Sequence, residues 1–382
     1  ISKIALRHHG TGASRRPPGI TFHQKFAFGL NTHRQPRFQN LCNTALQHGF
    51  PRFVSALRGY NLSTKNHRQD AFPETLVSGL TPPAKLNFSV MSETNLLKGA
   101  ADLSASVALL RFTGEDREAF LQGQLTNDVR HLTSDSLMTA GWCSPKGRLL
   151  AVFQLYKDND AVYAFTARET LDATVKRLRM YILRSKVKVE EVKDLTVAGI
   201  VGDVPSDLPT VKCFTQTSGS PEALDALGLT SGRALALVKA DTELTGSAEA
   251  YWSATAAAGV PFIVSATSDK FVPQAVNLEC IGGVSFNKGC YTGQEIVSRV
   301  EHIGKTARRA ALFACGKAFP AGSDITDAGG TVAGTVVLSA AAGSKAAVLA
   351  QVAADKTADT YRAGEAVLTA LSLPYSYSRS DK

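Results

Sequence analysis

The sequence is poor in the features that announce most enzyme classes. Its 382 residues hold 3 Met, 2 Trp and 6 Cys, and no two cysteines stand in a C-x-x-C spacing. The cysteines fall at positions 42, 143, 213, 280, 290 and 315 of a long chain. A disulfide scaffold is therefore not expected, and a reducing compartment is. The same scatter gives no iron–sulfur ligand pattern. No apolar run approaches the roughly 18 residues that a membrane span requires. Beyond position 90 the histidines are His131 and His302, without H-E-x-x-H or any zinc spacing, so no metal site is expected. There is no G-x-S-x-G elbow. Gly304-Lys305-Thr306 ends like a phosphate loop, but Arg299 stands where that loop needs its first glycine.

Acidic residues are nearly missing from the first 90 positions, which carry 12 Lys+Arg against 2 Asp+Glu. The remaining 292 carry 30 against 31. The formal charge of +9 thus belongs to the first segment, and the near-neutral body gives no warrant for direct nucleic-acid binding. Residues 1–90 also lack methionine and sustained periodicity, whereas MSETNLLKGAADL from Met91 reads like an ordinary protein start. The segment reads either as an organelle-targeting sequence or as an upstream extension outside the working protein, the second being favoured. Disorder is expected there in both cases.

What is present reads as α+β. Residues 106–113 alternate as a strand, and 114–129 begin a helix with acids in its first turn and a break at Gly123. Two strands flank a turn at Ser144–Gly147, a further strand runs over 161–167, and Leu171, Val175, Leu178 and Ile182 form one apolar helical stripe. Residues 184–192 read as a strand and 247–258 as a helix. From about 308, short Val/Ala/Leu runs between Gly and Asp have the cadence of a small β-barrel. The expected divisions are 91–203, 204–307 and 308–382.

The stretch VSFNKGCYTGQEIVSRV at 284–300 carries the clearest chemical signal. Thr292 and Glu295 fit a capping box, with Ile296, Val300 and Ile303 as an apolar stripe and Gly304 as terminator. Cys290 then stands just before a helix N-terminus, with Lys288 two residues away, and both favour a thiolate. The competing reading makes Cys290 a small hydrophobe closing a turn and Lys288 a solvated charge.

These residues, with FLQGQLTNDV (120–129), GWCSPKGRLLA (141–151), LRSKV (183–187) and FVPQAVNLE (271–279), resemble the signatures of the YgfZ family. The resemblance covers about 95–382. It implies a fold like that of the glycine cleavage T-protein: ferredoxin-like α+β units around a central folate channel, with a C-terminal β-barrel. It further implies tetrahydrofolate or a derivative as cofactor. The implied role is assistance to iron–sulfur enzymes, including one that thiolates transfer RNA, in a bacterial cytoplasm or a mitochondrial matrix. A monomer is expected.

On this reading Cys290 and Lys288 carry the chemistry. Glu279 and Asn277 fall where T-proteins hold the pterin, a carboxylate being suited to two N–H donors. Asn127, Asp128, Tyr291 and Gln294 are further cofactor contacts. Arg148 and Arg184, with Lys146 and Lys186, are candidate cations for the acidic tail of folate, while Cys143 is a core thiol. Residues 147–151 lack the carboxylate that aminomethyl transfer needs, which counts against a T-protein-type transferase. A binding module without chemistry of its own is the third reading.

Overall fold

The computed structural model describes residues 97–302, 306–356 and 360–377, all within one compact unit, Asn87–Lys382. The expectation for residues 1–90 lies outside the described residues.

Alternating apolar residues build two antiparallel sheets. One has four strands in the order β1-β7-β9-β8: β1 (Gly99–Asp102), β7 (Leu195–Val201), β9 (Arg233–Lys239) and β8 (Thr210–Gln216). The other has five, in the order β3-β4-β5-β2-β6: β3 (Met138–Cys143), β4 (Leu149–Lys157), β5 (Val162–Ala167), β2 (Val107–Thr113) and β6 (Lys188–Val192). Positions before and after 204 contribute to the four-stranded sheet together. Tyr156 of β4 and Phe165 of β5 meet Phe214 of β8, the Tyr156 and Phe214 rings lying 4.8 Å apart. Aromatic burial of this kind joins the sheets face to face.

The far face of the five-stranded sheet is covered by α1 (Arg117–Gln124) and α2 (Leu171–Ile182). Its core includes Phe112, Leu121, Trp142, Phe153 and Leu178, each at most 2% exposed. The apolar stripe expected on α2 packs as read: Leu171 and Leu178 are buried, with Val175 and Ile182 against the same core. Gly123 does not break α1, which runs one residue further. Strand β6 begins at Lys188 rather than 184.

Strands β10 (Arg308–Cys315), β11 (Asp324–Thr326), β12 (Val332–Ala342), β13 (Lys345–Ala353), β14 (Tyr361–Ala363) and β15 (Ala366–Leu371) close into a barrel. Its own core holds Phe313, Val336, Val348 and Tyr361. After the short helix α3 (Pro221–Leu227), helix α4 (Ala248–Ala257) packs against both the barrel and the four-stranded sheet, which is why its residues are small and buried nearly all round. Ser247 caps it by accepting from the Ala250 N–H at 3.1 Å.

Helix α5 (Gln294–His302) corrects the capping-box reading. Gly293, at φ +83°, precedes the first helical residue, and the Glu295 carboxylate pairs with Arg299 at 2.8 Å instead of reaching back to Thr292. The reason is tertiary. Gly293 lies against the β3–β4 turn, where a Cβ would stand 2.9 Å from the Cα of Gly147 and closer still to the Ser144 carbonyl. The Ile303 and Gly304 readings lie outside the described residues. Gly293→Ala should therefore cost about 2 kcal/mol or more in urea unfolding, since it adds a strained φ to a backbone clash. A loss below about 0.5 kcal/mol would show that this contact yields freely.

Candidate functional site

The two most distinctive segments of the sequence meet here through a single ammonium group. Helix α1 ends at Gln124, leaving its last carbonyls without intrahelical donors. Lys288 Nζ fills that gap, donating to the carbonyl oxygens of Gln122 (2.8 Å), Leu125 (2.6 Å) and Asn127 (2.8 Å). Three protons meet three acceptors at the negative end of a helix. The side chain is buried, and its ammonium also lies 5.1 Å from the centre of the Tyr291 ring. Burial pushes the Lys288 ammonium down to about 8, while the charge of Asp128 acts the other way.

More bonds stitch the same seam. Thr126 Oγ1 donates to the Gly283 carbonyl at 2.6 Å, the Ser285 N–H donates to the Thr126 carbonyl at 2.9 Å, and Asn127 Nδ2 donates to the Gly282 carbonyl at 2.7 Å. Asn127 Nδ2 also reaches the Thr139 carbonyl at 2.8 Å. Asp128 caps the 3-10 turn Val129–His131, accepting from Arg130 N at 3.2 Å and from Arg130 Nε at 2.8 Å. The Arg130 hydrogen bonds hold its carboxyl well below the usual carboxylate range.

Cys290 is exposed, four residues ahead of α5 rather than two ahead of a helix starting at Thr292. The expected partnership with Lys288 is corrected, because that ammonium is spent on the three carbonyls of the 122–127 segment. Cys143, by contrast, is buried, and desolvation pushes its thiol up to about 12.

A cavity of about 370 Å³ opens between the two sheets. Its walls include Asn127, Thr139, Gln154, Gln216, Arg233 and Gly282. A narrower apolar recess of about 40 Å³ continues from it, sharing Gln154, Gln216 and Arg233 and lined further by Phe165, Tyr251 and Trp252. Neither lining contains Asp or Glu.

Of the residues singled out from the sequence, Asn127 lines this cavity; Cys290, Lys288, Asp128, Tyr291 and Gln294 do not. Tyr291 is buried beneath Lys288 and Gln294 opens α5. Glu279 does not face the cavity either. One of its oxygens pairs with Arg309 of β10, while Oε2 is buried with no hydrogen-bond partner among the described residues. Burial pushes the Glu279 carboxyl up, against the opposing pull of Arg309. Asn277, left-handed at φ +58°, donates to the Ala310 carbonyl at 2.9 Å, and its Oδ1 is likewise unpartnered. Arg148 is bound to the Lys270 carbonyl at 2.7 Å, Lys186 pairs with Glu115, and Lys146 and Arg184 are exposed. None of these four cations lines the cavity.

Sequence reasoning missed Gln154, Gln216 and Arg233. Gln154 lies in apolar β4, Arg233 opens apolar β9 and Gln216 ends the mixed strand β8, and none of these settings signals locally what the residue will face.

Comparison with known proteins now bears on this arrangement. A tRNA-modifying protein YgfZ from Escherichia coli O7:K1 (strain IAI39 / ExPEC) is 32% identical over 226 residues, covering 54% of this chain and 69% of that protein. The chain belongs to the YgfZ family. The YgfZ protein of Escherichia coli O157:H7 (strain EC4115 / EHEC) is 33% identical over 220 residues, 53% of this chain and 67% of its own length. That of Shigella dysenteriae serotype 1 (strain Sd197) is 32% identical over 226 residues, again 54% and 69%. No protein-family model matches the chain. In structure it is similar to the glycine cleavage system aminomethyltransferase T from Bartonella henselae, with a TM-score of 0.53 and 13% identity over 75% of this chain and 89% of that one. This likeness shows the fold: α+β units with a closed C-terminal barrel, as the YgfZ resemblance implied. Among the described residues no helix is long and apolar enough to cross a membrane.

Two measurements probe the seam. Lys288→Met removes three charge-assisted bonds and leaves their carbonyls bare, so urea unfolding should show a loss of about 2–4 kcal/mol. A loss under about 1 kcal/mol would mean that water or a neighbour replaces the ammonium at little cost. Asp128→Asn should cost about 1 kcal/mol at pH 7, because Asn still caps the turn but loses the charge-assisted bonds to the Arg130 guanidinium. The Asp128 pKa is lowered in the fold from its ordinary 3.8, so its contribution is complete above about pH 4. The gap between wild type and variant should therefore shrink as the pH falls below that value; a pH-independent gap would contradict the assignment.

Proposed function

We propose that this protein binds a reduced folate and serves as an accessory protein for the synthesis or repair of iron–sulfur clusters, with an enzyme that modifies transfer RNA among its clients. The observation that carries the reading is the polar cavity of about 370 Å³ between the two sheets of a T-protein-like fold. The name of the YgfZ relatives, tRNA-modifying protein, supports the choice of client.

The residues present suit a folate at two places. The Gln154 and Gln216 amides offer N–H donors to a ligand in the cavity, whose wall Asn127 also forms. Glu279 Oε2 and Asn277 Oδ1 are buried acceptors in want of N–H donors, the kind an aminopterin edge carries. A bound reduced folate would supply one-carbon chemistry. The chain's own part is to orient it, to shield it between the sheets and to present the exposed Cys290 thiol to a partner protein. All five described cysteines are free, which supports work in a reducing compartment such as the bacterial cytoplasm.

A T-protein-type transferase is the second reading. It is less favoured because neither residues 147–151 nor the cavity lining supplies a carboxylate to handle a substrate amine. Methylenetetrahydrofolate formed from an amine donor by the purified protein would revive it.

Tetrahydrofolate titrated into the protein should saturate one site, and Glu279→Gln should weaken it about tenfold or more. Cys290→Ala should leave unfolding within about 0.5 kcal/mol of wild type, its side chain being exposed, yet lower the activity of an iron–sulfur tRNA-modifying enzyme in cells. Absence of folate binding would end the cofactor reading, and undiminished enzyme activity would remove Cys290 from the work.

A further inference from the structure

Among the described residues two buried cations, Lys288 and Arg233, have no carboxylate bonded to them, and Arg233 alone of the two borders a cavity. Arg233, the first residue of β9, is 3% exposed. Its Nε and Nη2 donate to the Thr217 carbonyl at 3.2 and 3.1 Å, and Nη1 donates to Thr255 Oγ1 at 3.1 Å. The guanidinium lies 5.8 Å from the centre of the Tyr251 ring. Those hydrogen bonds occupy three of its five N–H groups. Among the described residues no carboxylate pairs with it, and its electrostatic surroundings contain the phenol of Tyr251 and no acid. Arg309, whose side chain is 12% exposed, by contrast pairs with the Glu279 carboxylate.

An unpaired buried cation is costly, and proteins keep one where something anionic completes it. Arg233 stands where that completion can come from outside. It lines both the large polar cavity and the apolar recess behind it, at their junction. The groups beside it point the same way. Gln154 Oε1 accepts from Thr139 Oγ1 at 3.1 Å and Gln216 Oε1 accepts from the Tyr251 hydroxyl at 2.8 Å, so the Nε2 donors of both amides are left for the cavity. The junction is thus rich in donors, poor in acceptors and free of negative charge.

We propose that Arg233 is the anion receptor of this cavity, taking a carboxylate of the bound molecule through its remaining N–H groups with Gln154 and Gln216 beside it. The inference rests on the reading of the cavity as a ligand site and adds the class of group it recognises. The carboxylate can belong to the glutamyl tail of a folate or to a free small organic acid.

The test uses the full chain and needs no variant to begin. Binding of p-aminobenzoylglutamate, of its neutral diamide and of acetate is followed by calorimetry and by the shift in melting temperature. The acid should bind about 30-fold more tightly than the diamide, as expected when a buried charged hydrogen bond is lost. Arg233→Met should abolish that preference, binding acid and diamide alike, and Arg233→Lys should keep part of it. If Arg233→Met does not fold, the acid–diamide comparison in wild type and Arg233→Lys carries the result. Protection by acetate alone, lost in Arg233→Lys or Arg233→Met, would support the receptor and assign it to a small acid, at the expense of the folate reading. Equal binding of acid and diamide by the wild type would overturn the proposal, even where tetrahydrofolate itself binds. So would a preference for the acid that survives Arg233→Met, because a merely structural arginine would leave it unmoved.

Discussion

The arrangement around the candidate site depends on the desolvated ammonium of Lys288. A short helix ending inside a protein leaves carbonyls that must be satisfied, and here the donor comes from a loop more than 160 positions away in sequence. That choice joins the 120–129 segment to the 284–300 segment and fixes both. It brings Asn127 to the cavity wall, buries Tyr291 under the lysine and leaves Cys290 outward. A lysine that could have been a solvated charge or an activating cation is instead a structural cap for α1. The thiol therefore relies on exposure, rather than on a neighbouring ammonium, for any reaction with a partner.

The site has a charge asymmetry that follows from its architecture. Acids such as Glu191 and Glu279 are paired with Arg168 and Arg309 away from the cavity. The central cavity holds none, so one buried arginine sets its sign. In a region where water is excluded, a single uncompensated charge outweighs many neutral hydrogen bonds in deciding what binds. The region around Asn277 and Glu279 has the opposite need, with buried oxygens that lack donors. A ligand with an acidic end and an amino-rich ring has both complements, as a folate does.

Several elements were legible before any coordinates because their signals are local. The α2 stripe from Leu171 to Ile182, the Ser144–Gly147 turn and the serine-capped helix α4 are dictated by spacing, turn chemistry and capping within a dozen residues. The barrel cadence after 308 was readable for the same reason, its Val/Ala/Leu-rich runs being separated by glycine and aspartate. The capping box at Thr292 failed where a tertiary contact intervened, since close packing of Gly293 on the β3–β4 turn moved the helix start to Gln294. Gly123 was misread as a break because helix α1 is held at its end by Lys288, a partner invisible in the local sequence.

By itself, then, the sequence determined the α+β class, the barrel, the resemblance to the YgfZ family and the residues around which its signatures gather. Those follow from periodicity and from short motifs whose meaning does not depend on distant neighbours. Only the tertiary structure decided which side chains share a cavity. It sent Glu279 to Arg309, turned Lys288 away from Cys290 and placed Arg233 with Gln154 and Gln216. Charge pairing and burial are properties of where a residue ends up, so a lone arginine opening an apolar strand gains its meaning when the sheets close over it.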